Sequence, residues 1–302
     1  MSFSLRQIRH FVTIAEHGNI SSAAKDLFMS QPALSTSITQ LEETLGLQLL
    51  IRHHAKGVSL TPSGAAFLAQ ARSLLAHSEE VAAAGRALGV SVEGTLPIGC
   101  FWTLSPFFLP GLIVLTRKHH PELQIQVTEG PLDELERLLL AGRIESALLY
   151  DIDLDTSLTR HPLTQVQPHL LLPAHHPLSS ESSISIRALR DEPFILLDLP
   201  HSRDYFLGFF GKLGVQPNIR HRSQSFELIR GLVGSGEGYS ILNLQPASPQ
   251  TYDGGEVRCI PIKEKVAPLS IVLAHSASLR QTQRALAFKA CCEAYFSGPG
   301  PY

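Results

Sequence analysis

The sequence predicts an α/β protein in three parts: an N-terminal winged helix-turn-helix, one long helix, and two α/β subdomains around a cleft. Three observations predict it. Residues 4–45 carry apolar stripes of helical period, interrupted by short breaks. Phe67, Leu74, Val81 and Leu88 recur every seven residues, the period of a helix that packs along another long helix. From residue 95 onward, short apolar runs alternate with helical segments, as in open sheets covered by helices on both faces.

The first helix, 4–17, turns Leu5, Ile8, Phe11, Val12 and Ala15 inward. The second repeats Ile20, Ala23, Ala24, Leu27 and Phe28 at helical spacing. That spacing places all of them in one buried stripe, with Ser21 as the N-cap. Met29-Ser30 breaks the period. Ser30 is the expected N-cap of a third helix, and Pro32 sits in its first turn, where a missing N–H costs nothing. Leu34, Ile38, Leu41 and Leu45 form the inner stripe. Two amphipathic helices joined by a tight turn make a helix-turn-helix. The outer face of the third helix carries Gln31, Ser35, Thr36 and Thr39. Such groups reach base edges and phosphates when a helix lies in the major groove. An ordinary solvated face carries them too, so the flanking pattern decides. Residues 47–51 and 58–60 are short apolar arms around Lys56-Gly57. They predict a β-hairpin wing that points Arg52 and Lys56 at phosphates.

The pattern Phe11-Val12, Ala15-Glu16, Ala23-Ala24, Ser30-Gln31-Pro32-Ala33-Leu34-Ser35, Ile38, Leu41-Glu42, Leu45-Gly46, Arg52, Leu60-Thr61 and Gly64 resembles the DNA-binding domain of the LysR-type transcriptional regulators. The match spans about the first sixty-five residues without a gap. It departs at Leu50, where the family usually has Phe, a core exchange of similar size. The resemblance implies that residues 1–61 bind DNA through Ser21, Gln31, Pro32, Ser35, Thr36, Thr39, Arg52 and Lys56. It also implies a linker helix that dimerises the chain, a homodimer or homotetramer, and a periplasmic-binding-protein-like effector domain.

Thr61-Pro62-Ser63 opens the long helix, 62–90, in which Ala71, Ser78 and Gly85 follow the first three large residues by four. A large/small seam suits a second copy of the same helix; the competing reading packs it on its own domain. Residues 89–94 are a hinge candidate. Beyond it, strands are expected at 95–99, 123–128, 145–150, 168–172, 193–197, 218–222, 238–242, 257–261 and 269–274. The intervening helices are expected at 104–118, 131–141, 203–213, 225–235 and 279–296. Crossovers near 159–165 and 262–267 divide 91–302 into subdomain 1 (91–160 and 267–302) and subdomain 2 (161–266). The stretch 225–244, with Ile229-Arg230, Leu232-Val233, Gly236, Gly238 and Leu242, resembles one common in that family's effector domain.

Composition sets limits. The 302 residues are too many for one core. No run of about twenty apolar residues spans a membrane, and the N-terminus lacks a secretory layout, so a cytoplasmic location is expected. The net charge of −2 offers no excess of positive charge to nucleic acid. Within 1–61, Arg6, Arg9, Lys25, Arg52 and Lys56 exceed Glu16, Asp26, Glu42 and Glu43 by one. Phosphate affinity depends on where that charge sits. Cys100, Cys259, Cys291 and Cys292 lack zinc spacing and read as buried free thiols. A redox pair of Cys100 and Cys259 is the weaker alternative. The His-His pairs at 53–54, 119–120 and 175–176 lack further ligands nearby, so neither a metal nor a cofactor is expected.

Ligands of open α/β sheets bind at the carboxyl ends of strands, where helix N-termini offer N–H groups. Three loops qualify. In 99–105, Thr103 and Ser105 offer hydroxyls beside Cys100, and Trp102 forms an apolar wall. Gly130-Pro131 precedes the 131–141 helix; the resembled family often has a hydroxyl residue where Pro131 stands. In 198–205, Asp198 is followed by Ser202, an expected N-cap, and by Arg203, which can pair with an anionic effector. Helix capping and core packing account for the same residues, so each assignment stands as an expectation. Gly234-Ser235-Gly236-Glu237-Gly238 has neither the dinucleotide spacing nor a nucleophile elbow. The sequence therefore reads as a non-enzymatic transcriptional regulator that binds an inverted-repeat operator in double-stranded DNA and a small-molecule effector. The alternative is a metabolic enzyme or solute-binding module whose N-terminal helices serve assembly alone.

Overall fold

The computed structural model describes residues 3–53, 57–86 and 92–298. Helix α1 (Leu5–His17) opens with a reciprocal capping box between Ser4 and Gln7 and closes at Gly18. Helix α2 is Ile20–Asp26. Its N-cap is Asn19, whose carbonyl accepts from the Ser21 and Ser22 amides at 2.8 and 3.2 Å. Ser21 therefore does not cap the helix; it is the second helical residue, and its amide is one of two first-turn N–H groups that the Asn19 side chain satisfies. The buried stripe also stops earlier than its spacing suggests. Phe28 has φ 53° and is 98 % exposed, because the chain leaves the helix at Leu27 and reverses through a left-handed residue. Helix α3 (Gln31–Leu45) starts at the expected Ser30 cap, with Pro32 in its first turn. Ile8, Phe11, Ile14, Leu34, Ile38 and Leu41 make the small N-terminal core.

Strands β1 (Leu50–His53) and β2 (Gly57–Leu60) pair antiparallel as the wing. Thr61 then ties the wing to helix α4 (Pro62–Arg86). Its hydroxyl donates to the Gln48 carbonyl at 2.7 Å and accepts from the Gly64 amide at 2.9 Å. Phe67 of α4 packs on Phe11, ring centroids 5.4 Å apart. Leu74 and Val81 face outward, while the side chains at 85 and 88 lie outside the described residues, as does the first half, 89–91, of the 89–94 hinge candidate.

The remaining chain runs β3 (Gly94–Phe101), α5 (Ser105–His119), β4 (Leu123–Gly130), α6 (Leu132–Leu140), β5 (Ser146–Tyr150) and β6 (Leu158–Val166). It continues as β7 (His169–Pro173), β8 (Pro193–Leu197), α7 (Ser202–Leu213), β9 (Asn218–Ser223), α8 (Phe226–Gly234) and β10 (Ser240–Leu242). It ends with β11 (Val257–Pro261), β12 (Leu269–Ser276) and α9 (Gln283–Ser297). The first sheet has the order β4-β3-β5-β12-β6, with β3, β4 and β5 parallel and β12 antiparallel between β5 and β6. In the second, β7 lies between β10 and β11, and β8 pairs with β9. The Tyr239 carbonyl accepts from the Ile195 amide at 2.8 Å, and a bridge from Phe194 to Tyr239 joins β8 to the start of β10. Each sheet buries apolar side chains on both faces. Leu148, Leu149, Ile195 and Leu196 are essentially inaccessible, and burying each such side chain is worth about 1.5–3 kcal/mol.

The crossover expected at 159–165 is corrected: these residues belong to β6, a nine-residue strand on the edge of the first sheet. The chain crosses to the second sheet between Val166 and His169 and returns after Pro261.

Candidate functional site

The N-terminal candidates converge on one side of α3. Gln31, Thr36 and Thr39 are exposed and Ser35 is half-buried. The Ser21 hydroxyl donates to Gln31 Oε1 at 2.9 Å. Arg52 on the wing donates to Thr39 Oγ1 at 3.3 Å. Helix α2, the outer face of α3 and the wing thus form one continuous polar surface. The Thr36 and Thr39 hydroxyls rest on the carbonyls one turn back, Pro32 and Ser35, at 3.0 and 3.2 Å. Pro32 fixes the start of that surface, and Lys56 lies outside the described residues.

Three residues that sequence reasoning left without a structural role hold this surface together. Glu42 Oε1 accepts from the Leu49 and Leu50 amides at 2.7 and 3.0 Å, anchoring the wing to α3. His10 is buried and lies 2.7 Å from Ser37 Oγ, joining α1 to α3. Burial, with the nearby Arg6 charge, lowers the His10 pKa.

The cleft candidates lie at the carboxyl ends of the parallel strands. Phe101 and Gly130 are register partners at the ends of β3 and β4, so the loops around Trp102 and Pro131 are neighbours. Trp102 is partly exposed, whereas Thr103 and Ser105 are buried. Ser105 is the first residue of α5 and its hydroxyl faces the Phe101 carbonyl at 3.4 Å, so it does not cap the helix. Cys100 is fully enclosed in the core, and burial pushes its thiol up to about 12. Its side chain therefore lies beneath the loop rather than on it. All four cysteines are free.

The third loop is corrected in two respects. His201, at φ 64°, stands at the cap of α7, and Ser202 is the buried first helical residue, so Ser202 is not the N-cap. Arg203 already has a carboxylate: its Nε donates to Asp198, which also lies 3.4 Å from Arg222. Two guanidiniums share one carboxylate there. The Asp198 amide donates to the Ser223 carbonyl at 2.8 Å. Just beyond Ser223, Phe226 stacks edge-on against Phe107 of α5, 5.4 Å between centroids. That aromatic contact brings the loop ends of the two sheets together.

Comparison with known proteins gives the fold its family. Residues 5–65 match the family model for the bacterial regulatory helix-turn-helix protein, lysR family, and residues 90–297 match the LysR substrate binding domain. The chain belongs to the LysR family of transcriptional regulators. It is 33 % identical to the HTH-type transcriptional regulator YnfL of Escherichia coli K12, over 88 % of this chain and 90 % of that one. AlsR of Bacillus subtilis is 32 % identical over 79 % of this chain and 80 % of its own. The crystal structure of HinK, a LysR family transcriptional regulator from Pseudomonas aeruginosa, is 39 % identical, covers 97 % of this chain and 98 % of its own, and superposes with a TM-score of 0.65. A full-length OxyR variant from Pseudomonas aeruginosa, 25 % identical, gives 0.75 over 97 % of this chain and 98 % of its own.

The protein is thus a DNA-binding transcriptional regulator with an effector-binding domain, and the assembly-module alternative gives way. Regulators of this family bind DNA and small-molecule effectors and form oligomers. No described helix is long and apolar enough to cross a membrane.

Proposed function

We propose that residues 1–61 read an inverted-repeat operator through the outer face of α3, that 62–90 join two copies, and that 91–302 sense an anionic small molecule. The observation that carries the DNA reading is the exposed surface of Gln31, Thr36 and Thr39, continuous with Arg52 of the wing. Two such heads related by a two-fold axis require two half-sites in opposite orientation. Leu74 and Val81, apolar and exposed on α4, support a helix that meets another copy, whether the assembly stops at a dimer or continues to a tetramer. A DNA operator places the working protein in the cytoplasm.

The effector would sit between the loops of Trp102, Thr103, Ser105, Gly130 and Pro131 and those of Asp198, Ser202 and Arg203. Arg203 and Arg222 exceed the single Asp198 carboxylate by one charge, which favours an anion. A ligand that prefers one cleft geometry shifts the population and repositions the heads.

Footprinting on the chain's own upstream region tests the DNA reading. The Ser35→Ala/Thr39→Ala double variant should lose about tenfold in operator affinity, since each hydroxyl's hydrogen bond contributes about 0.5–1.5 kcal/mol, with unchanged thermal unfolding. Equal affinity for operator and random DNA in the unaltered protein would refute the reading. For the effector, thermal unfolding against a panel of carboxylates should give a stabilising compound that Arg203→Ala no longer binds. At about a hundred times its Kd, such a compound adds roughly 2.7 kcal/mol.

A further inference from the structure

A second cavity, of about 400 Å³, lies between α4 and the opposite end of the first sheet. It shares no residue with the cleft loops. One wall is Glu16, Arg72 and Glu79 from α1 and α4; the other includes Arg143, Glu145, Arg280, Gln281 and Arg284 from the effector domain. Both the DNA-reading half and the sensing half of the chain therefore build it. Its size falls within the range of small-molecule pockets.

The charges lining it are unequally committed. Four guanidiniums face three carboxylates. Glu16 is held by Arg72 at 3.3 Å, and Arg72 gives its other end to the Ala141 carbonyl at 3.1 Å. Glu145 accepts from the Thr282 hydroxyl. Arg284 is only 7 % exposed, yet its Nη groups stand 3.7 Å from Glu145 and 4.0 Å from Glu79, beyond hydrogen-bond length. Among the described residues its buried Nε has no hydrogen-bond partner, and neither has the buried Nε2 of Gln281. Arg143 and Arg280 face solvent at the rim. Among the described residues no carboxylate pairs with either. Both buried groups left without a partner are donors, and the one loosely held carboxylate, Glu79, is solvent-exposed, so what completes the buried part of the site must bring acceptors.

We propose that this cavity binds a small organic or inorganic oxyanion, a carboxylate or a phosphate, held by Arg143 and Arg280 at the rim and by Arg284 and Gln281 within. Because its walls come from both halves of the chain, such a ligand stabilises the docked arrangement of α4 against the effector domain and acts independently of the cleft. Arg72, already bonded to both halves, is the pivot of that arrangement.

The test uses the full-length protein, with citrate and inorganic phosphate as separate probes and potassium chloride at matched ionic strength as the control. Citrate or phosphate should raise the unfolding midpoint saturably beyond the chloride control, and whichever does so assigns the class. The Arg143→Gln/Arg280→Gln variant, altered only at solvent-facing side chains, should need at least ten times more of that anion for half its effect. Arg203→Ala, altered in the cleft, should respond as the unaltered protein does. Absence of a saturable shift with both anions overturns the proposal. So does an undiminished response in the double variant, or loss of the response in Arg203→Ala.

Discussion

His169 is the side chain expected to make the sensing domain sensitive to acid. It begins β7, between β10 and β11, and its buried Nε2 has no hydrogen-bond partner among the described residues. Burial pushes its pKa down to about 4, against about 6.5 in an unfolded chain. The folded state therefore binds this proton more weakly than the unfolded state does. The stabilising contribution is complete above about pH 6.5 and is lost as pH falls from there towards 4. The loss amounts to about 3 kcal/mol at most. Urea midpoints measured between pH 7 and 4 should fall steeply, and His169→Gln should flatten the curve. An equally steep fall in the variant would assign the acid sensitivity to other groups. Sequence reading had no means of finding this residue, because burial of a lone histidine depends on which strands flank it.

Among the elements, the wing depends most on groups outside itself. Its position rests on the two amide bonds to Glu42 and on a close approach at Gly64, where a Cβ would overlap the Leu49 carbonyl oxygen. Glu42→Ala leaves two N–H groups without their acceptor and should cost about 1–3 kcal/mol. Operator affinity should fall with it, since Arg52 rides on β1. Urea unfolding and a gel-shift titration on the same variant check both, and an intact wing would appear as unchanged affinity. Helix α3 was legible in the sequence because a Ser cap, a first-turn Pro, an apolar stripe and a terminal Gly all agree. Phe28 was not, because helical spacing continues two residues past the end of α2 at Asp26. Strand β6 escaped for another reason. As an edge strand it has no need of an apolar run, and its Pro162 sits at the register shift opposite Val272, where a missing amide is tolerated. In the cleft, the loops were legible from strand–helix alternation. The cap at His201 and the Asp198–Arg203 pairing were not, because both depend on a left-handed residue and on a neighbour in space.

At the scale of the whole molecule, the first sheet is built from both ends of the effector domain. β12, near the end of the sequence, sits between β5 and β6, which precede it by more than a hundred residues. Every strand of the second sheet lies between β6 and β12 in the chain and so is made before the first sheet can close. The chain emerges from the ribosome N-terminus first. The DNA-reading head is thus available while the sensor that governs it still has a gap in its central sheet. Until β12 arrives, β5 and β6 present unpaired edges, the template on which strands of other chains add. A truncated protein of residues 1–267, lacking β12 and α9, should accumulate in the insoluble fraction and bind no effector. A soluble, monodisperse 1–267 on gel filtration would show that the gap closes some other way. The order of synthesis runs against the order of control: a nonsense mutation between β11 and β12 removes the strand that closes the sensor and leaves the reading head encoded intact.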